Sequence, residues 1–278
     1  MKSKHTFLFV ALLTSILLLS AVESSLASQS TTNISNPENN AVYPQAVVDS
    51  SGYIHVVWME VRPDQPAWFQ WIDNPGIFYS MYNGNAWSEP LRISENSALA
   101  EIPSIAIDST DTIHVTWDDA TYGPSQSSYP FSRAVYRKRS PNGTWSSIEI
   151  LPIISPTASD FNVRIKIDDS DVPHVTFANF ADGGIYWSRK IAGAWTTPEI
   201  VSKDEAENNI VDTQWSMLDR DNSGNLHLAY WSFSQGIFYR KHTAGTWLTA
   251  VPITSTGGWE YPILITTPTI DVHKNRLI

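Results

Sequence analysis

Along the chain, short runs alternate apolar and polar residues, break at Gly, Asn, Asp or Pro, and begin again. Alternation over about four to eight residues, rich in Val, Ile, Thr and aromatics, marks a half-buried strand. Four stretches carry the same order of signals: Pro44 to Ser94, Pro103 to Leu151, Asn162 to Ser202, and Thr213 to Thr254. In each, a first alternating run ends in Asp (Asp49, Asp108, Asp168, and less cleanly Asp219 to Asp221). A His follows, in IHVVW at His55, IHVTW at His114, PHVTF at His174 and LHLAY at His227. An aromatic run then starts at Ile77, Ala134, Ile185 and Ile237, and a Trp (Trp87, Trp145, Trp195, Trp247) leads into a fourth run such as PLRIS at Pro90.

Helix signals are absent, and four strands per repeat make a small antiparallel sheet that must stack on copies of itself to bury both faces. Radial stacking of such sheets is a β-propeller. The pattern predicts an all-β chain of four-stranded antiparallel blades at about 43–94, 102–154, 161–202 and 212–254, within a domain spanning 28–278. In the first blade the strands are expected at Ala46 to Val48, Ile54 to Trp58, Ile77 to Tyr82 and Leu91 to Ser94. Residues 33–49 align without a gap to 92–108, so 28–36 is expected to be a detached outer strand. A fifth unit opens at Glu260 and stops in its second strand, giving a partial blade over 260–278, and the chain reads as a fragment of a five- to seven-bladed ring.

Residues 1–27 read as a signal peptide, with Lys2 and Lys4, an apolar run from Phe7 to Val22, and small residues at Ser25-Leu26-Ala27. The expected location is therefore secreted or cell-surface, with no membrane insertion once the signal is removed. Zero cysteines exclude disulfides, a cysteine zinc site, a thiol nucleophile and a cysteine-linked lipid anchor. Without Lys2, Lys4 and Glu23 the formal charge moves from −10 to −11, which argues against nucleic acid or an anionic membrane surface as partner. Twelve Trp and eleven Tyr call for a repeated structural role, and the Trp column fits blade-to-blade packing.

The unit resembles the sialidase-like superfamily of β-propellers with BNR (Asp-box) repeats, and its lectin-like relatives, in YSMYNGNAWSEPLRIS at Tyr79, RSPNGTWSS at Arg139 and IAGAWTTPEIVS at Ile191. The Asp that the Asp-box places before its Gly-x-Thr-Trp turn is replaced here by Tyr82 or Asn83, Pro141 or Asn142, Ile191 or Ala192, and Thr243 or Ala244. The resemblance implies a catalytic set of three arginines, a Tyr nucleophile with a Glu partner, an Asp acid and an early Phe-Arg-Ile-Pro motif. No such motif occurs, and Arg62, Arg92, Arg133, Arg164 and Arg189 sit in none of the family's motifs.

The repeated His residues are expected to tie neighbouring loops, because equivalent positions on stacked blades lie too far apart to share one metal ion. The repeated Asp residues fit Asx turns. Loop length separates the units: from the repeat His to the aligned aromatic takes 24 and 22 residues in units one and two, but 13 and 12 in units three and four. Insertions confined to one loop type mark a working face. They carry Arg62, Trp68, Trp71, Tyr122 and Tyr129 as candidate ligand-binding residues, with Glu60, Asp118 and Asp119 as candidate catalytic carboxylates. Acidic residues before the first strands (Glu101, Asp160, Asp212, Glu260) are candidate Ca²⁺ ligands, and no other cofactor is implied. The first expectation is a propeller that binds a carbohydrate or protein ligand without chemistry. The alternatives are a sialidase-like glycoside hydrolase (exo-α-sialidase type), with carboxylates about 5 to 10 Å apart, and a structural repeat array of a larger extracellular protein.

Overall fold

A computed structural model of the chain describes residues 32–61, 75–95, 97, 99–123 and 132–254, and the backbone of 272–273 and 276–277. All the strands lie in the unit Ile34–Ile278. Blade I pairs β1 (Asn40–Val48), β2 (Ile54–Val61), β3 (Gly76–Tyr82) and β4 (Leu91–Arg92) in that order, all antiparallel. Blade II repeats it with β5 (Ala100–Ile107), β6 (Ile113–Asp119), β7 (Arg133–Arg139) and β8 (Glu149–Ile150). Blade III is built from β9 (Asp160–Ile167), β10 (Pro173–Asn179) and β11 (Ile185–Ile191), with a hairpin tip β12 (Ala194–Trp195) and an outer strand β13 (Glu199–Ile200). Blade IV has the same plan in β14 (Thr213–Arg220), β15 (Leu226–Ser232), β16 (Gly236–Thr243), β17 (Thr246–Trp247) and β18 (Val251–Pro252).

A separate short pair joins β19 (Val272–His273) to β20 (Arg276–Leu277); the rest of the expected partial blade lies outside the described residues. The one helical piece among the described residues is the 3-10 turn Ala120–Tyr122. Strands β2 and β6 belong to different sheets, as stacked blades require. Residues 34–39 form bends and a turn where an outer strand was expected over 28–36, and residues 28–31 are not among those described. Here the backbone N–H of Asn36 and the Asn39 amide bond to Glu60 instead of to a sheet edge.

Burial follows the stacking. The second strands are covered on both faces, so β6 and β10 are buried at every position, including their polar residues His114, Thr116, Asp118 and Asp119 in β6 and His174, Thr176 and Asn179 in β10. One apolar cluster joins blades I and II (Val57, Ile77, Val115, Trp117), a second joins II and III (Tyr136, Val163, Phe177), and a third joins III and IV (Ile185, Trp187, Leu228, Tyr230). The repeat Trp residues seal these junctions edge-on: Trp145 on Tyr79, Trp195 on Tyr136, and Trp247 on Trp187. In blades III and IV the Trp follows a two-residue turn, Ala192-Gly193 and Ala244-Gly245, in which both residues have positive φ (50° and 84°, 50° and 85°). That geometry matches strand twist and explains why an Asp-box Asp can be missing while the hairpin persists.

Each blade carries one internal latch at its first turn. The Asp49 carboxylate accepts from the N–H groups of Ser51 and Tyr53, and its other oxygen meets His55 Nε2 at 3.3 Å. The carboxylate can only accept, so Nε2 carries the proton and Nδ1 accepts from the Tyr79 hydroxyl at 2.7 Å. Asp108–His114–Tyr136 and Asp221–His227–Tyr239 repeat this arrangement. In blade III the donor to His174 is the Trp187 indole N–H, which can only donate, so the same tautomer holds. Burial lowers His55, His114 and His174, keeping the rings neutral at pH 7. Between blades, Ser50 donates to Asp111 and Ser109 to Asp171, while Arg220 pairs with Asp169 at the third junction.

Candidate functional site

The blade-to-blade connections and the loops between second and third strands emerge at one end of the sheets, the loop face. The first-to-second turns lie at the other, the turn face. Near the loop face every first strand slips register, between Val42 and Gln45, between Glu101 and Ser104, at the β9 position opposite Thr176 to Ala178, and between Thr213 and Trp215. In three of them a residue with positive φ accompanies the slip: Tyr43 (54°), Ile102 (49°) and Asn162 (55°). Such bulges re-aim backbone and side chains and are frequent beside binding sites.

Glu60 and Asp119 hold the same repeat position and do the same job. Each lies two residues after a buried Trp, hence on the same face of its strand, and accepts the indole N–H: Trp58 to Glu60 at 2.8 Å and Trp117 to Asp119 at 2.9 Å. Glu60 also holds the connection that precedes β1, through Asn36 and Asn39. Asp119 holds the next connection, through the Ser97 hydroxyl and the Thr121 N–H. In blades III and IV this position is Asn179 and Ser232, and the carboxylate moves to the start of the first strand. Asn179 donates to Asp160 at 2.6 Å, and Ser232 donates to Asp212 at 2.6 Å. Asp160 is further paired with Arg133 (3.0 Å), and Asp212 accepts the Ser234 N–H. Burial pushes the Asp160 carboxyl up to about 6 against the pull of Asn179 and Arg133.

Of the candidate Ca²⁺ ligands, Asp212 braces its own blade, and Asp160 is held both by Asn179 of its own blade and by Arg133 of blade II. Glu101 sits on β5 opposite Asp118, and Glu260 lies outside the described residues. No group of three His or acidic side chains placed to hold a metal ion occurs among the described residues. The arginines are similarly engaged. Arg133 grips Ala158 O, Pro156 O and Asp160, and Arg92 grips Pro75 O and Ser97 O. Arg137 binds Ile93 O and Glu95, Arg240 binds Val201 O and Glu207, and Arg189 lies over the Trp187 ring. On the turn face a cavity of about 420 Å³ is lined by charges that pair with one another, Lys166 with Asp219 and Arg220 with Asp169.

Asp118 departs from the repeat. The aligned positions are Met59, Ala178 and Trp231, whereas Asp118 is a buried carboxylate reaching from blade II into the bulge of blade III. It accepts the N–H groups of Asn162 (2.6 Å) and Val163 (3.2 Å). Burial pushes it up to about 7, the two N–H bonds and Arg164 pull it down, and the cross-strand neighbour Glu101 adds to the rise. Burial also raises Glu101 and lowers Arg164, whose Nε points at Met217 Sδ. The loop face at blades II and III thus holds two carboxyls that burial raises, beside one buried guanidinium.

Among the insertion residues, Tyr122 is described, on the 3-10 turn after β6 and 36% exposed. Arg62, Trp68, Trp71 and Tyr129 lie outside the described residues. The short loops of blades III and IV carry aromatics that the loop-length argument passed over. Phe180, 48% exposed, stacks on Phe161 with ring centroids 4.2 Å apart, and Phe233, 37% exposed, tilts against Trp231 at 4.2 Å. A polar-to-aromatic break right after the second strand (Asn179-Phe180, Ser232-Phe233) was the available signal.

No protein-family model and no curated protein sequence matches this chain. Among solved structures it is similar to a leech intramolecular trans-sialidase complexed with 2,7-anhydro-Neu5Ac: TM-score 0.60, 11% identity, covering 84% of this chain and 55% of that one. The intramolecular trans-sialidase of Ruminococcus gnavus matches with TM-score 0.59 and 10% identity over 80% of this chain and 73% of that one. The NanB sialidase of Streptococcus pneumoniae matches with TM-score 0.56 and 10% identity over 84% and 55%. The chain spans about half the length of the leech and pneumococcal structures. At these identities the likeness carries the fold alone: the chain folds as a sialidase-like β-propeller.

Proposed function

We propose that this protein is an extracytoplasmic β-propeller that binds a carbohydrate on its loop face without turning it over. One contrast carries the reading. Glu60, Asp119, Asp160, Asp212, Arg92 and Arg133 on the loop face are committed to bracing blades, while aromatic rings there are left open to solvent. Glu60, Asp119, Asp160 and Asp212 accept hydrogen bonds from their own blades and connections, so none is left as a free acid or base. Phe180 instead presents a flat face backed by Phe161, and Phe233 stands exposed at a 50° tilt against Trp231. Aromatic platforms stack on the apolar faces of sugar rings, and their rigidity keeps the ordering cost low. The leader-like residues 1–27 support export, and no helix among the described residues is long and apolar enough to cross a membrane.

The test uses the full chain on a glycan array, followed by titration calorimetry with the best ligand. The double variant F180A/F233A is expected to bind about 10- to 100-fold more weakly with its melting temperature unchanged. Unaltered binding by that variant overturns the assignment of the platform. A second reading, glycoside hydrolysis, rests on the paired carboxyls Asp118 and Glu101, because a carboxyl near pKa 7 can donate a proton at neutral pH. Release of 4-methylumbelliferone from glycosides by the wild type, lost in D118N, would replace the binding reading with this one.

A further inference from the structure

We propose that the junction between blades III and IV is a proton-sensitive latch, because it seats His242 where the two preceding junctions seat a permanent cation. The register fixes the equivalence: Arg139 pairs with Ile113, Lys190 follows the Arg189 that faces His174, and His242 pairs with Leu226, each one step before its blade's repeat His. At the I/II junction the Arg139 guanidinium lies over the Tyr79 ring at 5.4 Å. At II/III the Lys190 ammonium lies over Tyr136 at 4.6 Å and reaches Glu149 on the neighbouring blade. At III/IV the His242 ring takes this place, 5.0 Å from the Trp187 ring and 5.2 Å from Trp247.

The substitution changes what the junction tolerates. His242 is 7% exposed, and its Nε2 is buried without a hydrogen-bond partner among the described residues. It lines a cavity of about 190 Å³ between the blades together with Asp168, His174, Arg189, Asn225 and Thr243. A proton on Nε2 would stand between two indole rings and face the Arg189 guanidinium and the His174 ring. Asp168 is the carboxylate that faces it, and that group is already held by His174 and by the Ser170 and Val172 N–H groups. An imidazole lacks the four-carbon stem with which Lys190 carries its charge out to Glu149. Burial first, then His174 and Arg189, depress His242 to about 4, while the Gly245 backbone pulls weakly the other way.

The sign follows from proton counting. An opened junction lets His242 return toward its ordinary value near 6.5, so between that pH and about 4 the open form binds more protons than the closed one. The junction's stability is therefore present above pH 6.5 and is lost as pH falls toward 4. At pH 5 opening should be about 30-fold more frequent than at pH 8 from this group alone. The sister junctions carry Arg139 and Lys190 at the equivalent position and have no imidazole there.

The experiment compares thermal melts of the full chain and its H242F and H242Q variants from pH 8 to pH 4.5, with a nuclear magnetic resonance titration of the wild-type imidazoles. A wild-type decline in Tm on acidification that is shallower in both variants, with one imidazole titrating near 4 and absent from the variant spectra, supports the latch. Parallel declines in wild type and variants, or an imidazole at 242 titrating at or above 6.5, overturn it. Should both variants fail to fold, the wild-type titration alone decides: a His242 signal that stays neutral to about pH 4 sustains the proposal, and one protonated at pH 6 ends it.

Discussion

The Trp column offers a controlled comparison, because one repeat position is occupied four times with the same half-buried exposure but not with the same neighbours. Trp145, Trp195 and Trp247 each meet an aromatic of the preceding blade and join a buried cluster between blades. Trp87 meets Tyr82, its own hairpin partner, at 5.4 Å and joins none of those clusters. Truncating a fully buried Trp to Ala costs about 3–5 kcal/mol. These rings are only partly buried, which reduces the area lost. The indole N–H groups of Trp195 and Trp247 are buried without an acceptor among the described residues, so removing them relieves about 1 kcal/mol. Against this, the edge-on pair is worth about 0.5–1.5 kcal/mol, and the Lys190 contact to Trp195 roughly another 0.5. W195A and W247A should each cost about 2–3 kcal/mol, a fall in Tm of roughly 4–12 °C, and W145A, whose indole is not among the unpartnered ones, slightly more. W87A should cost about 1 kcal/mol or less. Denaturant titration of the four variants is the assay. If W87A is as damaging as W195A, or if the three junction variants are silent, the column is not what joins the blades.

Two further expectations concern hydrogen bonding and charge. Y136F removes the donor to His114 Nδ1, leaves that nitrogen buried and unpaired, and should lower stability by about 1–2 kcal/mol in denaturant titration; a cost near zero would show that the latch is ornamental. Asp118 holds its proton up to about pH 7 in the fold but only to about 4 when unfolded, so its contribution to stability falls as pH rises between those values. D118N should therefore gain on the wild type by about 2–4 kcal/mol between pH 4 and pH 8, and parallel stability curves would contradict the assignment.

The blades were legible because alternation, turn residues and the Asp–His–aromatic spacing recur within the chain and depend on neighbours a few residues away. The Trp-to-acid pairs were legible too in principle, since Trp58 with Glu60 and Trp117 with Asp119 lie two apart on one strand. They were read as catalytic candidates because a carboxylate at a strand end looks the same in sequence whether its lone pairs are free or filled. What fills them comes from far along the chain: Asn36 and Asn39 for Glu60, Ser97 for Asp119. The bridge from Asp118 to Asn162 crosses 44 residues and depends on a bulge that no local pattern announces. Phe180 and Phe233 lie in the short loops, where a comparison of loop lengths gives no signal.

Repetition supplies its own filter for separating bracing from function. A side chain that recurs at one position in stacked blades meets the same surroundings each time, so its job must be one that every junction needs. Asp49, His55, Tyr79 and their counterparts satisfy that condition, and so do Glu60 and Asp119 once Asn179 with Asp160 and Ser232 with Asp212 are recognised as the same brace with its charge moved across the strand pair. A residue that breaks the pattern answers to something particular to its own junction. Asp118 stands where Met59 and Ala178 stand elsewhere, and there it buries a carboxyl against the next blade's backbone. His242 replaces Arg139 and Lys190, and there a permanent charge becomes a titratable one. Trp231 and Phe233 make an aromatic pair where blade I has Met59 and Val61 buried in its core. The departures fall on blades II to IV at the loop face and at one junction, so substitutions at these positions should move binding or pH response, while the same substitutions at the repeated positions should move stability.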